Sequence, residues 1–164
     1  MADYPFIPGN LYPVWGTGPE TTNGAKVCDY VSLKNAHRCY VVIQYYTSVG
    51  HATAITIEKA TDVAMTATTA ITASVPIWYA NVSTTNSKLI RQADAVSFTM
   101  DVGVTGYSLI IFEIDPASLG AFDCITCKAA SSAQANNFWS VTYWMAPRYA
   151  SKPSTMSATE YIVD

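Results

Sequence analysis

The sequence predicts an all-β fold: a single β-sandwich, jelly-roll-like, of about eight strands, with an extended N-terminal arm. Three observations predict it. The last third holds three β-rich segments, 107–115, 122–128 and 138–146, separated by turn residues. Further β-rich runs recur upstream at near-regular spacing. The first 26 residues combine dense Pro and Gly with aromatics, a composition that prevents helix but is too aromatic for a disordered tail. At 164 residues, one domain is the default.

The elements follow in order. Residues 1–26 carry Pro5, Pro8, Pro13 and Pro19 with Gly9, Gly16, Gly18 and Gly24. Tyr4, Phe6, Tyr12 and Trp15 are interleaved among them. This reads as an extended arm whose aromatics dock on the protein's own sandwich or on a neighbouring subunit. The sandwich spans 27–146 and a C-terminal tail spans 147–164. A strand opens near Cys28, Lys34 to Ala36 read as a turn, and 37–47 form a long apolar strand. Such a continuous run predicts burial on both faces, or one face on a core and one on a partner. Gly50 breaks it, and 52–59 alternate cleanly between apolar residues and threonine or charge. The Ala/Thr-rich stretch 60–74 favours strand and loop, since β-branched threonine disfavours helix, with one or two helical turns as the alternative. Strands follow at 75–82 and 95–102, with a polar loop at 81–87 and a turn at 103–106. Asp115 caps a single helical turn, with Pro116 at its first position and Gly120 at its end.

Charge and hydropathy exclude several function classes. The net charge is −3 without Lys/Arg clusters, which argues against nucleic acid, because phosphate neutralisation needs concentrated basic charge. The nearest basic stretch, Lys34, His37 and Arg38, reads as a solvated turn before a strand. The first residues lack a secretory pattern, and no apolar run reaches membrane-helix length; the expectation is synthesis in a cytoplasm and no membrane partner. Charged residues make up only 13% against 50% apolar, whereas about a quarter is usual for a soluble domain. So little charge points to a surface partly covered by a partner or by copies of the chain.

The chemistry-bearing residues are few. Cys28, Cys39, Cys124 and Cys127 admit buried free thiols, disulfides, zinc or redox chemistry. The C-x-x-C spacing of Cys124 and Cys127 lies in a strand rather than at a helix N-terminus, which weakens the redox reading. Side chains three apart on a strand face opposite ways, so bridges, if formed, join distant or intersubunit partners. Cys28 and Cys39 make a poor second zinc knuckle, and no metal or cofactor is expected. Glu113 and Asp115 share a strand face about 7 Å apart, a spacing compatible with carboxylate chemistry, though Asp115 already serves as a cap. His37 and His51 stand outside any hydrolase or metalloprotease setting, so no enzymatic activity is expected.

Several short stretches carry a resemblance. They are Val31-Ser-Leu-Lys-Asn35 before the long strand, Glu113-Ile-Asp115 followed by Leu119, and Val141-Thr-Tyr143 leading to Arg148 and Tyr149. The tail from Pro153 and Ser154 to Ile162, Val163 and Asp164 joins them. Over about residues 25–164 these resemble the capsid decoration, or cement, proteins of tailed bacteriophages. The resemblance implies a non-enzymatic virion protein on the exterior of an assembled head. It would bind the major capsid protein as an oligomer, often a homotrimer, and brace the shell. The cysteines are not part of that pattern. Interfaces favour aromatics and Arg over Lys and Glu, so the contact candidates are Tyr4, Phe6, Tyr12 and Trp15, with Arg148, Tyr149 and Tyr161 in the tail. The alternatives are a carbohydrate-binding sandwich, for which Trp78, Tyr79, Trp139 and Trp144 are cues, and another head–tail virion component.

Overall fold

A computed structural model describes residues 10–81 and 88–148. They form two antiparallel six-stranded sheets and one short 3-10 helix. In chain order the strands are β1 (Tyr12–Thr21), β2 (Lys26–Val27), β3 (Val31–Ser32), β4 (Ala36–Thr47), β5 (Ala54–Ala60) and β6 (Thr69–Ala70). They continue as β7 (Ile77–Asn81), β8 (Ile90–Arg91), β9 (Ser97–Thr99), β10 (Gly106–Ile114), β11 (Cys124–Ala129) and β12 (Phe138–Pro147). The first sheet runs β1-β12-β4-β10-β7-β8 and does not close into a barrel. The second runs β2-β11-β5-β6, with β3 also on β11 and β9 also on β5.

The strand count exceeds the eight expected because β2, β3, β6, β8 and β9 are only two or three residues long. Segments so short show no alternation in a sequence. Apart from β1, the long strands fall where their composition places them. The Ala/Thr-rich stretch contributes only β6, and Met65 and Ala67 there take positive φ of 67° and 48°, which excludes helix.

Within the expected extended arm, residues 12–21 form β1, the edge strand of the first sheet, and residue 26 lies in β2. The Pro and Gly content is accommodated rather than disruptive. Pro13 sits opposite Trp144 on an edge strand, where a missing N–H costs no inner ladder bond. The pairing with β12 slips between Trp15 and Thr17 and again between Thr17 and Glu20, around Gly16, Gly18 and Pro19.

The inward faces of both sheets meet in one apolar cluster. Val41, Ile43, Ile110, Phe112 and Val141 come from the first sheet, and Ile55, Ile57, Ile125 and Cys127 from the second. Burying each large side chain such as Phe112 contributes about 1.5–3 kcal/mol. Two tyrosines on the first sheet carry hydroxyls across this core. The Tyr143 hydroxyl accepts from the Cys127 amide at 3.0 Å and donates to the Asp29 carbonyl at 3.2 Å. The Tyr45 hydroxyl bonds Thr22 at 2.9 Å and Thr53 at 3.2 Å. Gly16 leaves room for the first: a Cβ there would stand 2.6 Å from the Tyr143 ring.

Glu20 joins the edge strand to its neighbours. Its carboxylate accepts from the buried Trp139 indole at 3.1 Å and from Thr17 at 3.1 Å, and it pairs with Lys26 at 2.9 Å.

Replacing Tyr143 by Phe orphans the buried Cys127 amide, and denaturant titration should show a loss of about 1–3 kcal/mol. Glu20→Ala removes the partner of the Trp139 indole and should cost a similar amount, about 1–3 kcal/mol, while Glu20→Gln, which retains an acceptor, should cost less.

Candidate functional site

The residues that bear reactive groups are committed to the fold. Cys28, Cys39, Cys124 and Cys127 are all free and buried. Cys28 and Cys127 lie opposite one another, with the Cys28 amide donating to the Cys127 carbonyl at 3.0 Å. Thr126 donates to the Cys28 carbonyl at 2.7 Å on the same short segment. Cys39 sits on β4 in the main core. Cys124 points to the other side of β11, into a small cluster with Tyr30 and Ala60. Burial pushes the Cys39 and Cys127 thiols well up, and burial with the adjacent Asp123 carboxylate pushes Cys124 up to about 12. Thiols held protonated in an apolar interior are poor nucleophiles and poor metal ligands. No group of three or more His, Cys, Asp or Glu side chains that could hold a metal ion lies together among the described residues.

The Glu113 and Asp115 pair is an ion-pair network. Arg38 reaches Asp115 at 2.6 Å and Glu113 at 3.7 Å. Asp115 also caps the 3-10 helix, accepting from the Ala117 amide at 2.9 Å. That amide, helped by the Arg38 guanidinium, holds its carboxyl below the usual range against the opposing effect of burial. A carboxylate kept ionised this way is unsuited to donate a proton.

The surface that stands out is the outer face of the first sheet. Outward side chains of an antiparallel sheet facing water should be polar. Here register lines up Trp15, Thr142, Val42, Ile111 and Trp78 in one row across five strands. The row on one side is Pro13, Trp144, Tyr40 and Glu113, and at the far end stand Thr21, Phe138, Tyr46 and Tyr107. Trp15 is 66% exposed, Tyr107 64% and Phe138 41%. Charge on this face is confined to its margins: Arg38, Glu113 and Asp115 at one end, and Arg91, which lies over the Trp78 ring and pairs with Asp94, at the β8 edge. Two depressions mark the face. One, of about 490 Å³, lies among Pro19, Gln44, Tyr46, Tyr107, Leu109 and Phe138. The other, of about 360 Å³, is lined by Leu11, Tyr40, Val42, Ile111 and Trp144.

The contact candidates named from sequence separate. Trp15 belongs to the outer face. Tyr12, half-buried, turns inward and packs against the core. Arg148 donates through its Nε to the Ala36 carbonyl at 2.9 Å and through its amide to Asn35 at 2.8 Å, closing the end of β12. Tyr4, Phe6, Tyr149 and Tyr161 lie outside the described residues. Of the carbohydrate cues, Trp139 is in the core and Tyr79 packs against it, beside Phe98. Sequence reasoning missed Tyr46, Tyr107 and Phe138 as a group; their joining signal is strand register, which needs the pairing.

Native protein titrated with an aromatic disulfide at neutral pH should expose almost no thiol, and all four should react once it is unfolded. A burst of native reactivity would refute this. Glu20, Glu58 and Asp115 all have lowered pKa values in the fold; at Glu20 and Glu58 burial alone would raise them but is outweighed by hydrogen bonds and nearby lysines. Their stabilisation is complete above the unfolded carboxylate range, about pH 4, and is lost as pH falls through the lower folded values. Thermal melts should therefore hold steady above about pH 5 and decline below about pH 4.

No protein-family model matches the chain, and no curated protein does. Among solved structures, the crystal structure of SPBc2 prophage-derived protein YomS aligns with a TM-score of 0.47 at 10% identity, over 82% of this chain and 91% of that chain. A likeness of that degree decides neither fold nor function.

Proposed function

We propose that this chain is a non-enzymatic bacteriophage virion structural protein. In this reading it binds the assembled capsid surface as an oligomer and stabilises the head, its two sheets forming a jelly-roll-like sandwich. The observation that carries the proposal is the aromatic, nearly charge-free outer face of the first sheet. A contiguous apolar face on a folded domain marks an interaction surface. Trp15, Tyr107 and Phe138 are the side chains it leaves open, and Tyr and Trp anchor interfaces out of proportion to their number. The short motifs shared with capsid decoration proteins supply the partner class: the major capsid protein, and further copies of the chain as a homotrimer on the particle exterior. Thiols and carboxylates already engaged in the fold agree with a role that needs no reaction.

A second reading rests on the larger depression. Tyr46 and Tyr107 meet at a tilt of 45°, 4.9 Å between centroids, beside Phe138, with Gln44 and Ser140 nearby. Aromatic platforms with a few neutral polar groups suit sugar rings, so a glycan-binding role is the alternative.

Light scattering of the purified chain should give a trimer, and Trp15→Ser with Phe138→Ser should lower the mass without lowering the melting temperature. Particles assembled without the protein should burst at lower temperature or milder osmotic shock than complete ones. Unchanged particle stability would sink the bracing role, and glycan-array binding lost on Tyr107→Ala would favour the sugar reading.

A further inference from the structure

Two of the buried thiols are placed as a covalent bridge needs them. Strand β2 pairs with β11 so that Val27 faces Lys128 and Lys26 faces Ala129. Continuing that register by one residue sets Cys28 directly opposite Cys127, and the Cys28 amide donates to the Cys127 carbonyl at 3.0 Å. Residues opposite one another in a hydrogen-bonded antiparallel pair stand about 5.5 Å apart at Cα, inside the window that a disulfide spans. Both side chains belong to the core cluster between the sheets, so they leave the backbone toward the same side. Burial and then a hydrogen bond with the Cys28 thiol push the Cys127 thiol up, which marks the two sulfur groups as neighbours. The remaining cysteines are not so placed. Cys39 lies in the first sheet opposite Ile114 and Met145, and Cys124 turns to the other side of β11 with Tyr30 and Ala60.

The backbone around the pair is held less by ladder bonds than by side chains. A hydrogen-bonded pair ordinarily exchanges two ladder bonds. Here the Cys127 amide donates to the Tyr143 hydroxyl instead, and the Cys28 carbonyl accepts from the Thr126 hydroxyl. Strand β2 is only two residues long and lies at the edge of the second sheet, with Val27 49% exposed. Short edge segments open at lower cost than inner strands. Opening of 26–29 brings both thiols to solvent while β11 stays paired to β5 along its other edge.

We propose that Cys28 and Cys127 form a reversible intrachain disulfide that fastens β2 to β11 when the chain meets a small-molecule disulfide. The Cys28 thiol loses its proton and its sulfur attacks one sulfur of the reagent, giving a mixed disulfide and releasing one reagent thiolate. Cys127 then loses its proton and attacks the Cys28 sulfur, expelling the second reagent thiolate. The two protons end on the two reagent thiols; the cysteines are oxidised and the reagent disulfide is reduced. The bond closes a loop of about 100 residues, which restricts the unfolded chain and so stabilises the folded one. The inference does not rest on the capsid reading, since the bridge forms within one chain whatever that chain binds.

The test uses the full chain, purified in reductant and then incubated with oxidised glutathione at neutral pH in urea below the unfolding transition, which raises the open population. Two of the four thiols should be lost slowly, leaving a monomer lighter by two hydrogens and a linked peptide that joins Cys28 to Cys127. The oxidised form should melt several degrees above the reduced form, and dithiothreitol should reverse both changes. Cys39→Ala and Cys124→Ala should leave the reaction intact, and Cys28→Ala should abolish the linked peptide. A peptide joining other cysteines, a glutathione adduct that never resolves, or four thiols still titrating after incubation would each overturn the proposal. A bridge that left the melting temperature unchanged or lowered it would overturn the fastening and the proposal with it.

Discussion

The Tyr143 hydroxyl spans the apolar interior to bond the Cys127 amide and the Asp29 carbonyl, and much of the arrangement follows from it. A buried amide or carbonyl without a partner is costly, so the segment around Cys28 and Asp29 and strand β11 must sit where that hydroxyl can serve both. The ring in turn needs space on the edge strand, which Gly16 provides, and the Gly16 carbonyl accepts from the Asp29 amide at 3.1 Å. The first sheet is thereby tied to the second at a defined position. Thr126, itself buried, bonds the Cys28 carbonyl beside this contact, and the two opposed thiols are held there in the interior.

A second buried network pins the other end. Thr22 bonds Tyr45 and Ser132, and the Asn137 side chain accepts from the Ser48 amide at 2.9 Å and donates to the Val49 carbonyl at 3.0 Å. Thr22, Ser132 and Asn137 are each fully buried. Polar groups in such a place specify one alignment of the loops, because any other leaves them unpaired. The following turn is equally constrained: a Cβ on Gly50 would overlap the Val102 carbonyl oxygen, so the loop before β5 and the loop before β10 pack backbone to backbone.

Beyond these paired interior groups, the unusual feature is outside. The inward face of β4 is buried residue by residue, while its outward residues Tyr40, Val42 and Tyr46 are also apolar or aromatic and only half covered. The shortage of charge in the chain is therefore concentrated on one sheet face. That concentration separates one apolar sheet face from a generally neutral surface. The face holds two depressions, one bordered by Tyr40, Val42, Ile111 and Trp144 and one by Tyr46, Tyr107 and Phe138.

The all-β class, the long strands and the capped turn at Asp115 were legible in the sequence, because alternation, turn residues and the Asp-Pro start are local signals. Asp115's capping role was legible for the same reason. The low charge, too, announced a neutral surface from composition alone. Which face is the most apolar was decided only by tertiary structure. Trp15, Val42, Ile111 and Trp78 come from four strands, and only pairing register puts them in one row. The same holds for the edge strand: Pro and Gly in 12–21 read as an arm until β12 supplies a neighbour that tolerates bulges. The cysteines went from open alternatives to buried thiols because burial depends on what packs above a residue, which no spacing rule contains. Local propensity names the elements; the long-range pairing that costs chain entropy to form decides which faces are hidden and which are left to bind.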